Sequence, residues 1–168
     1  EHSHATFEIE TSKAIGIQLI RHRSFSFQEF SQRYQNVNNL DEMFEPIELR
    51  EQCEDNRQSS TEVINPNMIF RGDMHSAQDL IQTHLQTTKD LYSRLLAEGV
   101  AREQARMILP LTTTTKIQMT GSIRSWVHFL ELRDDEHAQK EIQLIAKEIK
   151  QQLKTQLPTI SEALWGEI

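Results

Sequence analysis

The 168-residue chain is 37% hydrophobic and 26% charged, and its 25 Asp plus Glu against 18 Lys plus Arg give a formal net charge of −7. That length and composition suit one domain over 1–168, no apolar run approaches the roughly 20 residues of a bilayer span, and the acidic balance excludes a large nucleic-acid footprint. The single cysteine, Cys53, rules out an internal disulfide and a thiolate zinc site, so a reducing compartment, the cytoplasm, is the expected home.

The chain starts at Glu1 without an initiator Met and enters a strand-like pattern at once, so a further N-terminal segment is expected. Ala5, Phe7 and Ile9 alternate with Thr6, Glu8 and Glu10, which predicts a strand with one buried face. From Ser12, a candidate N-cap, the period changes to helical, with Ile15, Leu19 and Ile20 as the apolar stripe. Arg21, His22 and Arg23 close that helix, where cations suit the negative end of the macrodipole. Phe25 and Phe27 then alternate with Ser24, Ser26 and Gln28, predicting an extended segment through Arg33 and Tyr34.

Residues 35–67 are polar, with Leu40, Phe44 and Leu49 as scattered anchors, and are expected to form a long loop with short elements. Ser76 and Asp79 resemble a capping box at the start of a helix striped by Leu80, His84, Leu91, Leu95 and Leu96, with Ile81, Leu85 and Tyr92 beside them. Gly99 supplies its C-cap. "AREQARMILP" predicts a short helix ended by Pro110, and the β-branched run "LTTTTKIQMT" a strand broken by Gly121 and Ser122. Two more helices follow, one striped by Ile123, Trp126, Val127 and Leu130, the other by Ala138, Ile142, Ile145, Ile149 and Leu153, with "RDDEH" between them. Strands and helices mix without βαβ alternation, so the expected class is α+β, a mainly antiparallel sheet with flanking helices.

An acidic chain that gathers Arg21, Arg23 and Arg33 with Ser24, Ser26 and Ser31 has the makings of an anion site, because a guanidinium fork matches phosphate oxygens and hydroxyls complete the shell. Ser31 and Arg33, two apart on an extended segment, face one side. The alternative is a solvated surface on which these arginines pair with surplus carboxylates, and spacing alone leaves both open. Arg106, Arg124 and Arg133 each sit near the end of a predicted element. No Walker or glycine-rich dinucleotide loop is present, and the histidines show no recognised ligand spacing, so no metal is expected. Cys53 lies among carboxylates in "EQCED", which disfavour a thiolate, and reads as a bystander.

Residues 21–33 reproduce R-H-R-x2-S-x4-S-x-R without a departure, and this resembles the signature of the flavin-dependent thymidylate synthases, which make dTMP from dUMP using FAD. "REQARMILP" and "SIRSWVHFLELRDDEHAQKEI" resemble the same family's C-terminal half, in order, so the likeness runs from Glu1 to about Leu153. It implies a homotetramer with FAD and dUMP sites formed between subunits, and methylenetetrahydrofolate and NADPH as co-substrates. Carried over by position, Gln18, Arg21, Glu29, Ser31, Gln32, Arg33, Arg106 and Arg133 would contact dUMP, with Arg106 on the phosphate from a neighbouring subunit and Arg133 near the uracil. Arg21, His22, Arg23, Ser24, Ser122, Arg124, His128 and His137, with Glu1, would lie around the flavin. Family members have a further N-terminal segment with another flavin-site histidine, and Ser122 stands where many carry asparagine.

Uracil C5 is a poor nucleophile until charge builds on the ring, and Arg133 is the candidate to stabilise that charge. Ser31 is read as a nucleotide ligand in preference to a catalytic nucleophile, since serine needs an adjacent base and the sequence places none beside it. The competing readings are a non-catalytic nucleotide-binding module without flavin chemistry, and a dUMP-handling hydrolase that would lack an acidic metal cluster.

Overall fold

The computed structural model describes residues 2–31, 42–57 and 59–166. β1 (His4–Ser12) leads into α1 (Lys13–Leu19) and β2 (Ser26–Glu29). Two small hairpins follow, β3 (Arg50–Gln52) with β4 (Ser60–Val63), and β5 (Asn67–Phe70) with β6 (Asp73–Ser76). Then come α2 (Ala77–Ala97), α3 (Arg102–Ala105) continued by a 3-10 turn Arg106–Ile108, β7 (Thr114–Ser122), α4 (Ile123–Arg133), α5 (Lys140–Gln156) and α6 (Pro158–Trp165).

The central sheet has the order β1-β7-β2, with both pairings antiparallel, so the expected mixture of helices and antiparallel sheet is what the chain forms. β1 and β7 pair along their full lengths, from His4 opposite Ser122 to Ser12 opposite Thr114. Alternation decides which face is covered: Thr115, Ile117, Met119 and Gly121 are the buried set of β7, and Ile9 is buried on β1. Against them pack Ile15 and Leu19 of α1, Trp126, Phe129 and Leu130 of α4, and Ile142, Ala146, Ile149 and Leu153 of α5, forming one core. Trp126 is its centre, with no exposed surface and edge-to-face contacts to Phe7 at 4.8 Å and Phe25 at 4.6 Å between ring centroids. Its indole N–H donates to the Ala5 carbonyl at 3.1 Å, so the one polar atom this ring brings into the core is satisfied.

Several expectations change in detail. β7 runs through Gly121 and Ser122 without breaking there, because a Cβ at Gly121 would lie 2.4 Å from the Phe25 ring, and the glycine lets that ring close on the strand. α1 ends at Leu19, so Arg21–Arg23 follow the helix in turns, and Ile20 is 47% exposed. The buried face of α2 is Ala77, Leu85, Thr88 and Tyr92, leaving Leu91 and His84 exposed on this chain. On α4 Phe129 is buried where Val127 is half-buried, and Ala138 precedes α5. Ser76 caps α2 as expected, accepting from the Asp79 N–H at 3.1 Å while donating to its carboxylate at 2.7 Å. Gly99, at φ 83°, ends it. The extended segment reaches only Glu29 as strand, and Arg33 and Tyr34 lie outside the described residues.

Candidate active site

Two tight turns after α1 set the site. The His22 N–H donates to the Leu19 carbonyl at 3.1 Å and the Phe25 N–H to the His22 carbonyl at 3.2 Å. Phe25, anchored against Gly121 and Trp126, fixes the loop, and His22 is carried onto α4, where its ring stands edge-on to Phe129 at 4.9 Å. There Arg133 Nε donates to His22 Nε2 at 3.0 Å, across 111 positions of sequence. An imidazole that accepts at Nε2 is neutral with its proton on Nδ1. Burial first, then the Arg133 charge, then His128, push the His22 pKa down to about 4. Burial also lowers Arg133, which stays a cation at neutral pH. Its two Nη groups make no hydrogen bond to the described residues.

The other candidates fall into smaller groups. Ser122 is the N-cap of α4, accepting from the Ser125 N–H at 3.2 Å, and Ser125 Oγ links it to the Ser24 carbonyl at 3.5 Å. Gln18 donates to Gln139 at 2.6 Å, and Gln139 donates to Glu141 at 2.8 Å, which pairs with Arg50 at 2.5 Å. Glu29 accepts from Lys13 and from Thr115, each at 2.6 Å. His137 and His128 are exposed, beside Asp135 at 2.8 Å and Glu131 at 3.7 Å. Arg21, Arg23 and Ser24 are exposed, and Arg21 and Arg23 make no ion pair to the described residues. Ser31 is half-buried just past β2. Glu1, Gln32 and Arg33 lie outside the described residues.

Arg106 stands apart. It sits in the turn after α3, beside the second small core of Met43, Tyr92 and Ala105, and its buried Nε has no hydrogen-bond partner among the described residues. A polar cavity of about 490 Å³ between the β3–β4 hairpin and the start of α5 is a different place. Two of its cations are already engaged, Arg50 with Ser60, Glu48 and Glu141, and Lys140 with Glu48. Among the described residues no group of three or more His, Cys, Asp or Glu is arranged to hold a metal, and no helix is long and apolar enough to cross a membrane.

Residues 1–159 match the family described as "Thymidylate synthase complementing protein". A flavin-dependent thymidylate synthase of Synechocystis sp. is 40% identical over 159 residues, covering 95% of this chain and 70% of that protein. A probable flavin-dependent thymidylate synthase of Paramecium bursaria Chlorella virus 1 is 39% identical with the same coverage, 95% and 70%. The chain belongs to the flavin-dependent thymidylate synthase family. Among solved structures, the UMP/dUMP methylase PolB of Streptomyces cacaoi, bound with 5-Br UMP, superposes with a TM-score of 0.71 at 26% identity, covering 95% of this chain and 71% of that one.

As a member of the flavin-dependent thymidylate synthases, this chain offers a donor set that fits a dinucleotide cofactor. Arg21 and Arg23 are exposed cations without carboxylate partners among the described residues, next to the exposed Ser24, whose backbone carbonyl accepts from Ser125 Oγ, and such cations suit a pyrophosphate. Ser125, Gln139 and Phe129 support the site without a local sequence signal that names them. Ser125 and Gln139 lie inside the family-like stretch 122–142, but nothing in their spacing announces the partners they meet.

The His22–Arg133 contact carries a pH prediction. Folded His22 resists protonation down to about pH 4, whereas in the unfolded chain it protonates near its ordinary 6.5. Between those values the unfolded state binds more protons, so this residue's contribution to stability falls as pH drops and rises again with pH. His22→Asn, which keeps an acceptor but cannot titrate, is expected to lose less stability than the parent between pH 7 and pH 5. Urea midpoints of both proteins at the two pH values test this, and parallel losses would contradict it.

Proposed function

We propose that this chain reductively methylates dUMP to dTMP, with FAD as hydride carrier, methylenetetrahydrofolate as carbon donor and NADPH as reductant. The observation that carries the reading is the Arg133 guanidinium, held through Nε by the neutral His22 of the family signature, with its two Nη donors uncommitted among the described residues. A pair of donors fixed in a half-buried place is suited to a uracil carbonyl on which charge grows as C5 attacks the one-carbon unit. Ser31, Gln32 and Arg33, with Gln18, Arg21 and Glu29, hold the nucleotide, and Arg106 of a neighbouring subunit takes the phosphate. The Arg106 Nε has no hydrogen-bond partner among the described residues, which supports a role for this guanidinium with a phosphate.

Arg21, His22, Arg23, Ser24, Ser122, Arg124, His128 and His137, with Glu1, would hold FAD. When bound, FAD supplies the hydride that no side chain can. The residues of the chain then have three tasks: to keep pyrimidine and carbon donor in register, to keep His22 neutral beside Arg133, and to limit water around the guanidinium. We read residues 1–168 as one domain acting in a homotetramer in the cytoplasm. Large exposed apolar side chains support assembly, among them Ile69 at 73%, Met74 at 65%, Met107 at 76% and Leu111 at 59% exposure.

Ser31 serves as ligand rather than nucleophile in this reading. Ser31→Ala is expected to raise the dUMP KM roughly tenfold and to change kcat less. Abolished turnover with unchanged dUMP affinity would make it the nucleophile. The reading as a whole is tested on the full-length gene product by its visible spectrum, which should show a flavin band that dUMP perturbs. Colourless protein that still binds dUMP would favour the non-catalytic nucleotide-binding module.

A further inference from the structure

We propose that Lys13 and Thr115 are positioning residues that orient the Glu29 carboxylate toward the nucleotide. This rests on the dUMP-binding role given to Glu29 above. Three elements converge on one oxygen: Lys13 Nζ from the first residue of α1 and Thr115 Oγ1 from β7 each donate to Glu29 Oε1, at the end of β2, at 2.6 Å. Oε2 takes part in neither bond. A carboxylate oxygen held by two donors fixes the plane of the group, and the second oxygen is left with its lone pairs to accept an N–H or hydroxyl of a ligand.

The packing around the clamp is close. Thr115 is 7% exposed, so its hydroxyl needs an acceptor inside the fold, and Glu29 is that acceptor. Gly16, one turn into α1, brings the helix close enough that a Cβ there would lie 3.0 Å from Ile117 Cδ1 and 3.9 Å from Glu29 Oε1. The backbone locks the same point, since the Phe30 N–H donates to the Lys116 carbonyl at 3.0 Å, directly between Glu29 and Ser31 in sequence. The Lys13 and Glu29 side chains are 25% and 34% exposed, and an ion pair so placed adds little to stability. Its consequence is orientation: it decides where Oε2 points.

The test uses the full-length protein, with dUMP affinity read by calorimetry and kcat and KM by dTMP formation. Lys13→Met keeps the aliphatic stem and Thr115→Val keeps the shape, so each removes one donor. Each is expected to weaken dUMP roughly ten- to thirtyfold, the range of a lost charge-assisted hydrogen bond, with a smaller change in kcat. In a Glu29→Ala background Lys13→Met should have no further effect, a coupling that a purely structural role for Lys13 would not produce. Lys13→Arg should restore part of the affinity. Parental dUMP affinity in both single variants, or an undiminished Lys13→Met effect without Glu29, would overturn the proposal while leaving the proposed function standing. A parent protein that fails to bind dUMP at all would overturn both.

Discussion

Arg133→Lys should lower kcat for dTMP formation on the order of 10²–10³-fold, the usual cost of removing an aimed donor from a site where charge develops. Lysine keeps the positive charge but has no fork. Arg133 uses its Nε for His22 and keeps two Nη groups in reserve, so one guanidinium is anchored at one edge and presents donors at the other. An ammonium anchored by His22 would spend the same group that must face the ligand. Burial, which lowers the Arg133 pKa, also strengthens its field at short range, because less water is present to screen it. The effect should appear mainly in kcat, with a smaller change in dUMP affinity. Steady-state kinetics with calorimetric dUMP binding separates the two, and lost affinity at parental kcat would place Arg133 in binding alone.

Trp126→Ala should be the most destabilising single substitution in the chain, at about 3–5 kcal/mol. The ring is fully buried, packs edge-on against Phe7, Phe25 and Phe129, and donates to the Ala5 carbonyl. Removing it opens a cavity between the sheet and α4 and leaves that carbonyl short of a donor. At roughly 2–4 °C per kcal/mol for a chain of this size, the thermal midpoint should fall by about 6–20 °C. Trp126→Phe should cost less, about 1–3 kcal/mol, because most of the volume stays. The same substitution reaches the site, since Phe25 and Phe129 are the two rings beside His22. A thermal melt of the two variants checks the order, and equal midpoints would show that Trp126 is not the centre of the core.

The seam of the fold could be read in advance because its strands alternate. Ala5, Phe7 and Ile9 announced β1, and the burial of Ile117 and Met119 follows the same period on β7. The end of that strand was harder. Gly121 reads as a breaker, since glycine weakens a strand, yet here the missing Cβ admits Phe25, a contact made over a distance that local pattern cannot see. The β5–β6 hairpin escaped because its turn is Arg71–Gly72, with φ of 55° and 99°, where Asn or Asp before Gly is the common signal. α6 begins at Pro158, a favoured first helical residue that can as easily be taken for a stop. On α2 the apolar pattern is wider than the face one chain buries, so Leu91 belongs to the stripe and is nevertheless exposed.

The site divides in the same way. The signature at 21–33 named its residues, but no spacing predicts that His22 meets Arg133, because only the packing of α4 on the sheet brings them together. Lys13 is the first residue of α1 and Thr115 one of four consecutive threonines, and neither position announces a partner. Their common target, Glu29, becomes visible when α1, β2 and β7 converge.

The most direct measurement is chromatographic detection of dTMP from dUMP by the full-length protein, supplied with FAD, NADPH and methylenetetrahydrofolate and then with each omitted in turn. dTMP should form with the complete mixture and fall away when the carbon donor or the reductant is left out. A flavin-loaded protein that binds dUMP and yields no dTMP under these conditions would contradict the account.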